Sequence, residues 1–166
     1  MRAMGVVTAA LLLGSPSSSS EAPGTLTGGS LTAEQKLRVL EAVARYGVRE
    51  VHAPCQNYGS REAYCLSVRG QDPEVALLKR LADVTPPMLS LTQCQKDGVV
   101  GPRPYTIDPV VNIEWLRVVP DSGVQARVSV YCFVSEPTLG WRGSEWVVTS
   151  GSGWVGCGPV PANCEW

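Results

Sequence analysis

The segment 124–134 constrains the fold of this chain more than any other feature, because its residues alternate between apolar and polar types. One face carries Val124, Ala126, Val128, Val130, Cys132 and Val134, and the other carries Arg127, Ser129, Tyr131 and Phe133. Successive side chains of a β-strand point to opposite sides of the sheet. A strand with one apolar side needs another layer to cover it, so the chain must fold as a sheet with one buried face.

Further strands are expected on both sides of this segment. Residues 110–119 precede it and end at the turn 120–123, and residues 145–149 and 154–157 follow it around the turn 150–153. The intervening Gly- and Pro-containing stretch predicts a loop. Four strands joined consecutively by loops predict an antiparallel meander.

An amphipathic helix is expected to start at Thr32. Thr32 and Gln35 form a capping-box pattern, and Leu31 occupies the position of a hydrophobic staple. The apolar stripe is accompanied by a solvated face with Glu–Arg pairs at i,i+4. Gly47 is expected to end the helix, and residues 48–53 to be extended. The apolar stripe consists of Ala33, Leu37, Leu40 and Ala44, with Val39, Val43 and Tyr46 beside it, and the ion pairs are Glu34–Arg38 and Glu41–Arg45.

A second helix is expected between two extended segments, 64–68 and 88–94. Asp72 is its predicted N-cap, Pro73 suits the first turn, and Pro86 and Pro87 stop it. Helices that come first and strands that come later predict the α+β class. The expected architecture is two N-terminal helices packed on a C-terminal antiparallel meander of about four strands, stapled by disulfides.

The N-terminal region has the character of an export signal. A short basic start is followed by an apolar stretch at 4–13 and then by small polar residues. The apolar stretch is too short for a membrane span. We therefore expect a signal peptide at 1–22, a flexible Ser/Gly/Pro tether at 23–30 and a single α+β domain at 31–166, in a secreted or periplasmic protein.

The six cysteines agree with export, because an even number of cysteines in an exported domain predicts disulfides. A metal site is the rival interpretation, but the chain has no Cys-x-x-Cys pair. The only ligand-like spacing is His52 to Cys55. The expected bridges are Cys65–Cys94, Cys55–Cys132 and Cys157–Cys164. The alternative is Cys55–Cys65 with Cys94–Cys132.

Catalytic and nucleic-acid signatures are missing from the sequence. His52 is the only histidine, and there is neither a Gly-x-Ser-x-Gly elbow nor a Gly-x-x-x-x-Gly-Lys loop. The glycines at 151 and 153 are interpreted as a turn signal. Lys and Arg number 14 against 15 Asp and Glu, which argues against a nucleic-acid partner. The carboxylates Glu50, Glu62, Asp72 and Asp108 have nothing to distinguish them as an acid/base pair. We expect neither a catalytic residue nor a cofactor.

Five tryptophans, at 115, 141, 146, 154 and 166, are the most distinctive side chains. Trp115, Trp146 and Trp154 fall on predicted strands, where burial in the core is the simpler interpretation. Trp141 falls in a predicted loop between Gly140 and Gly143, so it is the candidate contact for a ligand. Aromatic side chains of this kind stack on sugar rings or grip peptides, so the expected ligand is a carbohydrate or a protein.

The order of features after residue 32 resembles that of uncharacterised exported bacterial proteins. These features are a capped helix, Tyr64-Cys65-Leu66, Pro73 with Leu77, Leu78 and Leu81, and then Ser90 and Cys94. The predicted terminal meander, with its Gly153-Trp154-Val155 strand, also resembles cystatin-like and nuclear transport factor-like domains. The resemblance covers roughly residues 32–157 and implies an α+β fold. The inhibitory Gln-x-Val-x-Gly signature of cystatins does not occur here, and no catalytic motif of the other group can be placed.

Two function classes follow from these features. The first is an exported, non-catalytic binding or structural domain. The second is a small hydrolase or isomerase with an acid/base site in the concave face of the sheet. A deep pocket with two ionisable groups of shifted pKa would favour the enzyme, whereas a filled sheet with a Trp-lined rim would favour binding.

Overall fold

The computed structural model describes residues 30–52, 63–99, 110–120, 123–130, 133–151, 153 and 155. The described part combines helices with a mixed seven-stranded sheet, and so belongs to the α+β class. Its elements, in chain order, are α1 (Ala33–His52), β1 (Tyr64–Val68), α2 (Val75–Arg80), β2 (Met88–Ser90), α3 (Leu91–Lys96), β3 (Val110–Val119), β4 (Gly123–Val130), β5 (Phe133–Ser135), β6 (Pro137–Arg142) and β7 (Glu145–Gly151).

The start of α1 is the predicted capping box. The Gln35 backbone N–H donates to Thr32 Oγ1 at 3.2 Å, and the Thr32 N–H donates to Gln35 Oε1 at 2.9 Å. The predicted ion pairs are also present, with Arg38 Nε 2.8 Å from Glu34 Oε1 and Arg45 Nη2 3.2 Å from Glu41 Oε1.

The predicted end of α1 at Gly47 is wrong, because the helix continues to His52. Residues 48–52 are therefore helical and not extended. Gly47 is buried and faces the sheet, and a Cβ atom built there would lie 3.0 Å from Val111 Cγ1 and 3.4 Å from Val128 Cγ2. The glycine thus serves the close approach of helix and sheet, and does not end the helix.

The sheet is not the predicted antiparallel meander. Its strand order is β2-β1-β3-β4-β6-β7, with β5 also paired to β4. Strand β1 lies parallel to both β2 and β3, while the pairs from β3 onward are antiparallel. The stretch interpreted as a loop after residue 134 forms the last residue of β5 and the whole of β6. Parallel pairing escaped the prediction because the partners of β1 are distant in sequence.

The two short helices also depart from prediction. Helix α2 begins only at Val75, and its N-cap position, Glu74, makes no side-chain capping bond. Asp72 instead accepts a hydrogen bond from the Thr92 N–H at 2.8 Å, at the start of α3. Ser90 caps the same helix, since its Oγ accepts from the Gln93 N–H at 3.1 Å. The predicted extended segment 88–94 is therefore a three-residue strand followed by a helix.

Helices cover β1 on both of its faces. Helices α1 and α2 pack on the face of Tyr64 and Leu66, where the main core lies, and α3 packs on the face of Cys65. The alternation predicted for 124–134 is confirmed as far as Val130, because the apolar side of β4 is completely buried. Beyond that point the prediction of one continuous strand is wrong, since β5 pairs back on β4 with Phe133 buried and Val134 only partly buried. The side chains that fill the main core beneath α1 and α2 include Val39, Val43, Leu77, Leu81, Val111, Ile113, Val124, Val128 and Leu139.

The predicted disulfide between Cys65 and Cys94 is present, with the two Cα atoms 5.9 Å apart and both residues fully buried. It ties α3 to β1 and rules out the alternative bridge from Cys65 to Cys55. The other two predicted bridges involve Cys55, Cys132, Cys157 and Cys164, which lie outside the described residues. The signal peptide expected at 1–22 and the tether expected at 23–30, apart from Ser30, also lie outside the described residues. Both segments and the domain boundary stay predictions.

Candidate functional site

A cavity of about 640 Å³ opens between the start of α1, the connection from β1 to α2, and the second half of β3. The strand pairing explains its position. Strand β1 pairs with β3 only as far as Val68 opposite Ile113, whereas β3 continues to Val119. A β-bulge between Ile113 and Trp115 bends β3 at the same point. Among the described residues, the second half of β3 therefore has no strand paired on the β1 side, and the cavity lies there.

The floor of the cavity is apolar. It is formed by Leu40 from α1, Leu77 from α2 and Ile113, Leu116 and Val118 from β3. Leu40, Leu77 and Ile113 also belong to the buried core, so the floor is held rigidly by the packing of helix on sheet.

The rim of the cavity is charged, with three cations, Lys36, Arg69 and Arg117, and two carboxylates, Asp72 and Glu74. Arg117 is already engaged, since its guanidinium lies 5.6 Å from the ring centroid of Trp115 and donates a hydrogen bond to Gln125. Lys36 and Arg69 have no ion pair or side-chain hydrogen bond within the part of the chain that the structure describes.

Asp72 is held as an anion on this rim. Hydrogen bonds lower the pKa of its carboxyl below the ordinary value. The largest contribution comes from the Thr92 backbone N–H, and smaller ones come from the Thr92 and Ser90 side chains and the Leu91 N–H. At neutral pH Asp72 therefore accepts hydrogen bonds and is not a proton donor. Its bond to Thr92 also ties the β1–α2 connection to α3, which positions this side of the rim.

Arg69 reaches the rim from an unusual backbone conformation. Val68 and Gln71 pair with each other, and the two residues of the turn between them have positive φ, +56° at Arg69 and +73° at Gly70. Such turns favour Gly, which has no Cβ atom to crowd the following carbonyl in the left-handed region, and Asn or Asp, whose short polar side chains hydrogen-bond locally.

The surrounding hydrogen bonds hold this turn in place. The Arg69 N–H donates to the Ile113 carbonyl at 2.8 Å, which extends the pairing of β1 with β3. Asn112 Oδ1 accepts from the Gly70 N–H at 3.2 Å and from Ser67 Oγ at 2.8 Å.

A second, smaller cavity of about 200 Å³ lies between α1 and the turn before Trp146. Its arginines are neutralised by neighbouring carboxylates, with Arg45 Nη2 2.7 Å from Asp83 Oδ1 and Arg80 Nη2 2.6 Å from Glu34 Oε1. The hydrogen bonds that Arg45 donates to Asp83, and the further ones that it donates to Glu41, raise the pKa of Arg45 above its ordinary value. These charges serve to hold α1 against α2, and the larger cavity is the better candidate site.

The tryptophans are arranged differently from the prediction. Trp146 is buried in the core, as expected. Trp141 lies on β6 and not in a loop; it is half-buried and meets Trp146 edge-to-face, with ring centroids 5.6 Å apart. It is not among the residues of the larger cavity, and its contact with a ligand stays a prediction. Trp115, expected in the core, is half-buried beside the cavity. Trp154 lies outside the described residues.

Sequence reasoning missed Lys36 and Arg69. Lys36 falls on what reads as an ordinary solvated helix face. The pair Arg69-Gly70 directly after a strand was the available signal for a tight turn, but the cavity beside it depends on β3, which is more than forty positions away in sequence.

Within the described ranges, no group of three or more His, Cys, Asp or Glu side chains could hold a metal ion. None of the helices described is long and apolar enough to cross a membrane. No protein family, no curated protein and no solved structure matches this chain. The resemblance to cystatin-like and nuclear transport factor-like domains therefore stays a prediction.

Proposed function

We propose that this chain is a non-catalytic binding domain that works outside the cytoplasm and takes a small amphipathic molecule into the larger cavity. The observation that carries this proposal is the cavity itself, with its apolar floor and charged rim. The volume of the cavity, about 640 Å³, is within the range of small-molecule sites. Such sites also combine apolar lining residues with polar ones, as this cavity does.

The apolar floor supplies the binding energy. Each methylene group that leaves water for an apolar surface contributes about 0.8 kcal/mol, so a short alkyl chain over the partly exposed Leu31, Leu116 and Val118 would bind measurably. The core packing of Leu40 and Leu77 keeps the site formed in advance, which reduces the entropy cost of binding.

The proposed compartment is supported by the Cys65–Cys94 disulfide. Disulfides persist in oxidising surroundings and are rare in the cytosol. This observation agrees with the export signal expected at 1–22.

The chemistry of the rim favours binding over the alternative of a hydrolase or isomerase. An acid/base site needs a group that holds a proton near neutral pH, and carboxyls that serve as such acids have raised pKa values. The pKa of Asp72 is shifted in the opposite direction.

The test is calorimetric titration with decanol, a neutral amphiphile. The titration compares the unmodified full chain with a variant whose cavity is filled by a larger side chain. Leu116→Trp places a large side chain on the cavity floor and should abolish binding. Val75→Trp adds the same side chain at a position that is 67% exposed and outside the cavity, so it should bind like the unmodified protein.

Thermal unfolding of both variants shows whether each is folded. If Leu116→Trp does not fold, Val118→Phe, a smaller filling of the same floor, replaces it. Binding that survives the filled cavity, or no heat of binding to the unmodified protein, would overturn the proposal.

A further inference from the structure

We infer that Arg69 and Lys36 select an anionic ligand, so that the cavity binds an apolar chain that ends in one negatively charged group. This inference rests on the proposed function and deepens it by naming the class of ligand. Both cations line the cavity above an apolar floor, at the boundary between apolar surface and solvent where the head of an amphiphile would lie.

The balance of charges on the rim supports an anion. Among the residues that line the cavity, Arg117 is engaged by Trp115 and Gln125, and Asp72 by Thr92. The charged lining residues without such a contact are then two cations, Lys36 and Arg69, and one carboxylate, Glu74. The guanidinium of Arg69, which has no hydrogen-bond or ion-pair partner among the described residues, presents a planar fork that matches the oxygens of a carboxylate or a phosphate.

The backbone of Arg69 is an independent observation. An arginine with φ of +56° is strained, and residues held in such conformations cluster at binding sites. Asparagine or glycine would relieve the strain at this position of the turn. Stability alone would thus favour a small residue, whereas binding of an anion explains the long cationic side chain.

The experiment compares four amphiphiles with the same apolar chain. Decanoate, decyl phosphate, decylamine and decanol are titrated into the full chain at neutral pH, below the concentrations at which they form micelles. One or both anions should bind roughly tenfold more tightly than decanol, since a charge-assisted hydrogen bond contributes about that factor. Decylamine should bind more weakly than decanol, and the tighter of the two anions identifies the headgroup.

Three variants test the residues themselves. Arg69→Asn removes the charge but tolerates the positive φ, and Lys36→Gln removes the second charge; each should weaken binding of the preferred anion several-fold and leave decanol unchanged. Lys79→Gln is the matched control, because Lys79 is an exposed cation on α2 outside the cavity lining, and it should change nothing. Arg69→Asn should also unfold at the same or a higher temperature than the unmodified protein.

The outcomes separate this inference from the proposed function. Equal binding of anions and decanol, tighter binding of decylamine, or full retention of anion affinity in Arg69→Asn and Lys36→Gln would overturn the inference while the binding domain stands. Failure of all four amphiphiles to bind would overturn both. A lower unfolding temperature for Arg69→Asn would contradict the argument from backbone strain.

Discussion

The two halves of the sheet are built in different ways. In the antiparallel half, from β3 to β7, successive strands follow one another closely in the sequence, and the turn of Gly143 and Ser144 joins β6 to β7. In the parallel half, β1 lies between β2 and the first part of β3, and the chain passes through α2 and α3 between these strands. Antiparallel strands can pair locally, whereas parallel strands need long crossover connections.

Burial follows the same division. Strand β1 is buried on both faces from Tyr64 to Ser67, since helices cover it from both sides. Strand β4 instead alternates between fully and partly buried residues. A strand buried on both sides has no alternating pattern, and this is typical of parallel sheets. The cavity lies where the two halves meet, at the point where β3 extends beyond the end of its parallel partner β1.

The largest effect is expected from removing the cross-link of the parallel half. The double variant Cys65→Ala/Cys94→Ala lacks the disulfide that joins two residues 29 positions apart. Because this loop is no longer closed, the free energy of unfolding should fall by about 3–4 kcal/mol. Denaturant unfolding measures the loss. Hydrogen exchange should show lost protection in β1 and β2 before β4.

A control separates cross-linking from packing. Leu89 is half-buried and packs against the same two cysteines, so Leu89→Ala removes side-chain contacts while the disulfide stays intact. It should cost clearly less than the double variant. If β4 lost protection as early as β1, the two halves would be one cooperative unit and the comparison would fail.

An intermediate effect is expected in the antiparallel half from Gly123→Ala. Gly123 has φ of +100°, and a Cβ atom there would overlap the Leu139 carbonyl oxygen across the strand pair. The substitution should cost about 2–3 kcal/mol through strain and crowding. Gly143→Ala is the matched control, because Gly143 also has positive φ, +63°, but open space around it. It should cost about 1 kcal/mol, and equal losses in denaturant unfolding would show that crowding at β6 is unimportant.

The smallest effects concern the caps of α3, which supports the parallel half. Ser90→Ala removes the capping bond to Gln93 and should cost about 1 kcal/mol. Asp72 contributes through its lowered pKa. Because its pKa in the folded state is below the unfolded value of about 4, its contribution is complete above that pH and disappears as the pH falls through the folded value.

Unfolding measured between pH 7 and pH 2 should therefore show a shallower acid loss in Asp72→Asn than in the unmodified protein. The carboxylate of Asp83, whose pKa Arg45 lowers, remains in both proteins and gives the acid dependence that they share. Identical acid curves would mean that Asp72 does not stabilise the folded state.

The sequence alone was sufficient for features that depend on neighbours along the chain. The capping box of Thr32 and Gln35, the alternation of β4 and the pairing of Cys65 with Cys94 were all predicted, because local spacing or a short intervening segment carries the information. The charges of the cavity rim were visible too, but without any sign that they belong together.

The tertiary structure decided what depends on distant partners. Gly47 reads as a helix end until Val111 is seen to pack against it, and Trp141 reads as a loop residue until β6 pairs with β7. The parallel pairing of β1 with β3 ends at Val68, and the cavity lies beside the rest of β3. Hydrogen bonds between parallel strands and contacts across a core leave no periodic signal in either segment, so only the folded chain shows which residues meet.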